Sequence, residues 1–322
     1  MGESLFDILG LKEVEWGEVQ SVEEMSLVPI LGKDRSNRIA TPNEVKFKRT
    51  TNYGSMSFQN ENPDFGAIIL SNLMIISNLA AQDHAMAGVG LLDPGKTKTF
   101  TDACCIQSSQ GGLLSESENY YDILPLELRA ALLNPQLRRR KEYGKLWPSI
   151  TQFLQNVPGV VSAGAHLEFF FRPYQKDLED FTSEFEPIDG QIGALILYNG
   201  IPAGIEILPT AEHWGAYWKW IIRGCYGAQL LKMKLTNQIE PLKLGAPSLP
   251  KEIGQVEERV DDYLETLKST MVTMFTALSV SGSSPTSTIS DLISTLVSVE
   301  TGGGDIVQQG PQTIYASLVV YR

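Results

Sequence analysis

The stretch GQIGALILYNGIPAGIEILPT limits the fold more than any other in the chain. Two apolar runs flank Tyr198-Asn199-Gly200. Asn and Gly both accept φ > 0, so the pair closes a tight hairpin, and a hairpin forces its two strands to run antiparallel. Other short runs carry the same β signal. MSLVPIL reads as a strand. In VKFKRTTNYGSMSFQN, Val45 and Phe47 and then, after a turn, Met56 and Phe58 alternate with polar residues, the period of a half-buried strand. GAIILSNLMIISNL predicts one or two strands covered on both faces. VGLLDPGKTKTFTDACCIQSS predicts strand, turn and strand about Asp93-Pro94-Gly95, with Cys104 and Cys105 on the second strand. On a pleated strand those two thiols point to opposite faces, so they cannot act together on one ligand.

Helical pattern is interleaved with these strands. DILGLKEVEWGEV predicts an opening helix. LPLELRAALL starts near Pro125 and stops at Asn134-Pro135, and RRRKEYGKLWPSITQFLQNV resumes as a helix broken near Pro148. HLEFFFRPYQKDLEDFTSEFEPI reads as part strand, part helix, and AEHWGAYWKWIIRGCYGAQLLKMKL as a helix. The expected class is α+β: a mostly antiparallel sheet core over about residues 20–235, with helices packed on it. A boundary is expected at 240/241, where the Pro/Gly-rich PLKLGAPSLP begins. Residues 1–240 form the main domain, and 241–322 a C-terminal helix-strand appendage. In the appendage Ile253, Val256, Val260, Leu264, Leu267, Met271 and Phe275 mark an amphipathic helix. SGSSPTST is expected as a flexible break, DLISTL as a short helix or strand, and TIYASLVVYR, after a Gly run, as a terminal strand that must pair with something.

Composition excludes some functions. With 38 acidic and 26 basic residues the formal net charge is −12. Such a chain repels phosphate backbones, so no nucleic-acid partner is expected. Arg138-Arg139-Arg140-Lys141 is too short to read as more than a surface cluster. The longest apolar runs, GAIILSNLMIISNLAA and MVTMFTALSV, are too short or too polar for a span, so no membrane association is expected. The N-terminus lacks the basic, apolar and small-residue succession of a secretory leader. Three cysteines, two of them adjacent, make a poor disulfide framework. The expected location is cytoplasmic.

No familiar catalytic signature emerges. A thiol nucleophile needs a base, and His84, His166 and His213 are each isolated in sequence. The bland alternative is a pair of inert core thiols. Neither CxxC, HxH nor HExxH occurs, so no metal is expected, and without GxGxxG, GxSxG or a true phosphate loop no cofactor is expected. Trp214, Tyr217 and Trp218 line one helical face, which suits core, a cleft or a subunit contact.

The succession LVPIL, YGSMSFQN, GAIILSNLMIISNLAAQDHAM, ACCIQSSQGG, LELRAALL, LRRRKEYGKLWPSI, GQIGALILYNG and EHWGAYWKWIIRGCYGAQLL, over Ser21 to Leu231, resembles the ADP-ribosylglycohydrolase- and rhodanese-phosphatase-associated protein family, a prokaryotic domain of undetermined function. That family's Gln-x-Arg step falls on Gln82-Asp83-His84, and its Cys-x-Glu step on Cys105-Ile106-Gln107. Its downstream Arg-Trp falls on Gln110-Gly111-Gly112, its mid-domain Trp on Trp147, and its Gly-Gln-x-Gly-Ala strand on Gly190 to Ala194. Gln82, Cys105 and Trp147 carry over, whereas the Arg, Glu and Arg-Trp do not. The resemblance implies a candidate ligand pocket at Gln82, His84, Cys105, Gln107 and Trp147. Two functions are expected. The first is a non-catalytic, self-assembling or binding protein, a homo-oligomer with its contact at Thr313, Ile314, Tyr315, Leu318 and Val320. The second is an enzyme or sensor for an ADP-ribose- or NAD-like nucleotide.

Overall fold

A computed structural model describes residues 4–77, 81–109, 111–116, 119–160, 164–239 and 280–320. The chain opens with a one-turn helix, α1 (Leu5–Ile8), and the strands β1 (Glu15–Trp16), β2 (Gln20–Val22) and β3 (Met25–Leu31). Next come β4 (Val45–Arg49), β5 (Met56–Asn60), β6 (Ala67–Ile69), β7 (Leu73–Ser77), β8 (His84–Ala85), β9 (Gly90–Leu92), β10 (Thr97–Phe100), β11 (Cys104–Cys105) and β12 (Asn119–Ile123). A helical run holds α2 (Leu126–Ala131), α3 (Pro135–Arg139), α4 (Trp147–Leu154), α5 (Glu168–Phe171) and α6 (Gln175–Ser183). The hairpin β13 (Gln191–Tyr198) and β14 (Ile201–Ile207) leads to α7 (Ala211–Trp220), a π-helical segment (Ile221–Gly227) and α8 (Ala228–Leu235). The last strands are β15 (Gly282–Ile289), β16 (Leu292–Val299), β17 (Gly302–Gln309) and β18 (Gln312–Val320).

The class is α+β, as expected, with a C-terminal strand region. The main sheet runs β1-β3-β13-β14-β18-β17-β16-β15, with β2 also on β3. Its hairpin turn is the expected one: Asn199 and Gly200 have φ of 50° and 77°, and Tyr198 faces Ile201. Alternation along β3 and β13 explains how the sheet is covered on both sides. Met25, Leu27, Ala194 and Ile196 face one core with Trp214, Tyr217 and Trp218. Val28, Ile30, Leu195 and Leu197 face a second core, which the opening residues Leu5, Phe6, Leu9 and Leu11 cover. Smaller sheets, β10-β5-β4, β11-β8-β7-β12 and β6-β9, lie in the first half of the chain. A third core packs Met74, Cys104, Leu128, Phe153 and Phe170 together.

Several local expectations change. The opening helix is only α1, because Gly10 turns left-handed at φ 62° and a 3-10 turn follows. The cysteines form their own short strand, β11, paired with β8, while β10 pairs with β5. Asn134 does not merely stop a helix. Its side chain accepts from Gln136 and Leu137 N–H and so starts α3. Pro148 sits in the first turn of α4, where a missing N–H costs nothing. The stretch from Glu168 to Ser183 holds two helices, α5 and α6, joined by a turn, with no strand.

The largest change is at the C-terminus. All of SGSSPTST but Ser281 belongs to β15, whose Ser and Thr side chains suit an exposed edge and whose Pro285 coincides with a bulge. The Gly run lies inside β17, where a Cβ at Gly304 would sit 2.1 Å from the Ser317 carbonyl oxygen. DLISTL contributes to β16. The 240/241 boundary and the amphipathic helix of 251–279 lie outside the described residues. Among the described residues no helix is long and apolar enough to cross a membrane.

Candidate functional site

Four of the five expected pocket residues meet in one hydrogen-bonded knot where β8 pairs with β11. Gln82 Nε2 donates to the Gln107 carbonyl at 2.9 Å, and Gln107 Oε1 accepts from Asp83 N–H at 3.2 Å. Cys105 Sγ lies 3.1 Å from the same carbonyl. His84 is fully buried. Its Nδ1 lies 2.7 Å from the Gln82 carbonyl, and its Nε2 accepts from Gly54 N–H at 3.1 Å, which makes it a neutral ring with both nitrogens satisfied. Trp147 stands beside the knot. Its ring is 5.6 Å from Tyr143, whose ring is 5.5 Å from Tyr53 and whose carbonyl accepts from Cys105 N–H.

This knot is poorly suited to thiolate or acid–base chemistry. Burial pushes the Cys105 thiol up to about 11, with Cys104 at about 12 in the core on the opposite side. Burial lowers His84 to about 4, and His213, bonded to Thr210 and the Ala40 carbonyl, to about 4 as well. A depressed histidine stabilises the fold above the unfolded value near 6.5, and that contribution is lost as pH falls toward 4. Each should therefore cost about 3 kcal/mol between pH 6.5 and 4, at about 1.4 kcal/mol per pH unit. His84→Gln should flatten the acid limb of a urea-midpoint-versus-pH curve. An unchanged limb would mean that His84 is not buried as a neutral ring.

A cavity of about 370 Å³ opens between the first half of the chain and the C-terminal strands. Lys98, Arg138 and Arg139 line it, with one carboxylate, Asp102. Thr99, Thr101, Ser284, Thr286 and Ser287 bring hydroxyls, and Phe100 an aromatic ring. Arg138 Nη2 is held at 2.5 Å by Asp305 Oδ1, while Asp305 Oδ2 accepts from Ser71 Oγ at 2.5 Å. Gly88 makes room for that arginine, since a Cβ there would lie 1.5 Å from Arg138 Nη2. Arg139 is exposed and has no ion pair among the described residues. In sequence Arg138 to Lys141 form only a short surface cluster, yet Arg138 and Arg139 build this wall.

Other charged groups also lie deep in the fold without a sequence motif to mark them. Arg129 Nη1 lies 2.7 Å from Glu206 Oε1, and Arg129 Nη2 donates to Ser317 Oγ at 2.6 Å, all deeply buried. Asp122 lies 3.0 Å from Arg223 Nε, and burial raises it to about 7 despite that guanidinium. Arg223, Cys225 and Tyr226 all come from the π-helical segment, a local widening often found at functional sites. The available signal was a lone charge inside an apolar run, as in GIEILP, YYDILP and GGGDIV. Among the described residues no group of three or more His, Cys, Asp or Glu side chains could hold a metal ion.

The residues expected at an assembly contact lie inside the chain. Thr313, Ile314, Tyr315, Leu318 and Val320 are buried in β18, which pairs along one edge with β17 over Gln312–Val320 and along the other with β14 over Ala316–Val319.

A family model described as the ARG and Rhodanese-Phosphatase-superfamily-associated Protein domain matches residues 13–308. No curated protein matches the chain, and no solved structure does.

Proposed function

The chain belongs to the ARG and Rhodanese-Phosphatase-superfamily-associated Protein domain family, and we propose that it binds a phosphate-bearing small molecule of the ADP-ribose or NAD-like class in the cavity beside Arg138. One observation carries this reading. In a chain of net charge −12, Lys98, Arg138 and Arg139 converge on one cavity with five hydroxyls, and only Asp102 and the Asp305 that pairs with Arg138 oppose them among the described residues, which leaves one cation in excess. Guanidinium forks and hydroxyls are the donors that phosphate oxygens take. The volume of about 370 Å³ falls within the range of small-molecule sites. Arg138 is fixed by Asp305, so little ordering is left for binding to impose. Self-assembly through the terminal strand has less in its favour, because β17 pairs with β18 over Gln312–Val320 and β14 takes its other edge over Ala316–Val319.

The test is thermal stabilisation. A ligand at one hundred times its Kd should add about 2.7 kcal/mol to stability, because it binds only the folded state. Millimolar ADP-ribose or NAD is expected to raise Tm, and Arg139→Glu, an exposed change, to abolish the rise. If neither nucleotide moves Tm, the reading fails.

A further inference from the structure

The stretch TDACCIQSSQGG holds a second arrangement, just past the cysteines. Gln107 forms an isolated antiparallel bridge with His166, and Ser108 Oγ accepts from Ala165 N–H at 3.1 Å. The exposed Ser109 places its Oγ 2.6 Å from His166 Nε2. The imidazole is only 5% exposed and stacks on Phe169, with centroids 4.8 Å apart and planes at 20°. A rigid ring therefore aims one nitrogen at a hydroxyl that faces solvent.

Comparison within the chain sets this histidine apart. His84 and His213 each engage both ring nitrogens with backbone or hydroxyl partners, as structural histidines do. His166 engages only Nε2, while its Nδ1 is buried without a hydrogen-bond partner. Gln82 Oε1 is likewise buried and unpartnered, on a side chain bonded to the Gln107 carbonyl. Two orphaned polar atoms flanking one short segment call for an explanation, since buried polar groups are nearly always paired. A nucleophile within hydrogen-bond reach of a fixed base is the signature of covalent catalysis.

We propose that Ser109 and His166 form a nucleophile–base pair that acts on acyl esters. His166 Nε2 takes the Ser109 Oγ proton as Oγ bonds to the ester carbonyl carbon. The tetrahedral adduct collapses, the carbon–oxygen bond to the leaving alcohol breaks, and His166 returns the proton to that alcohol. Water then repeats the sequence on the acyl-serine, releases the carboxylic acid and restores Ser109. Among the described residues no carboxylate holds Nδ1, and losing that partner costs a triad about 10⁴ in kcat. The pair therefore suits reactive esters rather than amides. The same loop reaches an aromatic shelf, where Gly112 N–H donates to Tyr53 Oη at 3.4 Å and Tyr53 and Tyr143 stand about 40% exposed, favouring an aryl or other apolar group.

Covalent capture tests this without requiring turnover. The full chain is treated with a fluorophosphonate, whose phosphorus bonds to an activated serine Oγ with loss of fluoride, and the adduct is mapped by peptide mass. One adduct on Ser109 is expected. Ser109→Ala should abolish it, Ser108→Ala should keep it, and His166→Gln should slow it at least ~100-fold, the usual range for a lost general base. No adduct, an adduct that persists in Ser109→Ala, or wild-type labelling in His166→Gln would overturn the assignment. Ser109→Ala should leave any rise of Tm with nucleotide unchanged, which keeps this outcome separate from that of the cavity.

Discussion

A chain ended after Gly304 is expected to lose its cooperative fold. Such a chain lacks the last five residues of β17 and all of β18, the strand that joins β14 to β17 in the middle of the main sheet. Ile314, Tyr315, Leu318, Val319 and Val320 are all at most 4% exposed. At about 1.5–3 kcal/mol for each fully buried side chain, their removal costs roughly 8–15 kcal/mol. That is the whole stability of an ordinary domain, about 5–15 kcal/mol. Polar groups lose partners as well. Tyr315 Oη accepts from Ser71 N–H at 2.8 Å, the Thr313 carbonyl accepts from Arg35 at 2.9 Å, and Asp305 holds Arg138. Near-UV circular dichroism and urea titration of the truncated chain should show no native signal and no cooperative transition. A truncated chain that stays folded and merely changes its native mass would place the strand's work between subunits instead.

The difference between those outcomes rests on what the sequence could convey. The β propensity of TIYASLVVYR and its need for a partner were both legible, because propensity and alternation are local. Its actual neighbours were not. β14 is more than a hundred residues away in the chain, and no local pattern names a non-local partner. SGSSPTST read as a break because Ser, Gly and Pro usually punctuate, yet β16 provides it with a ladder that overrides propensity. The hairpin at Asn199-Gly200 was fully legible, since turn chemistry there is decided by two residues.

The candidate site was half legible on the same grounds. Gln82, His84, Cys105 and Gln107 do meet, because the short β8–β11 pairing brings two nearby segments together. His166 was visible only as an isolated residue. Its approach to Ser109 depends on a bridge across nearly sixty positions. The cavity beside Arg138 needed the C-terminal strands in place, which composition could not supply.

Breaking the Arg129–Glu206 pair is expected to cost about 3–5 kcal/mol from either side, because each single change strands a charge in the core. Burial works against the arginine's charge, but Cys225, Glu206 and Tyr226 outweigh it and hold its pKa well above the usual value. Glu206 Oε1 also accepts from Tyr226 Oη at 2.7 Å, and Arg129 Nη2 donates to Ser317. The pair therefore ties α2 and the π-helical segment to β14 and β18. Arg129→Met leaves Glu206 with the tyrosine alone, and Glu206→Leu leaves the guanidinium with one hydroxyl and one thiol. Urea midpoints should fall steeply in both variants. In the double variant two apolar side chains face each other and no charge is stranded, and such replacements are often neutral or stabilising. It should recover most of the loss, so the cycle should show a coupling of several kcal/mol. Additive losses would mean that the two side chains act separately and that the packing around them, rather than their charges, sets the cost.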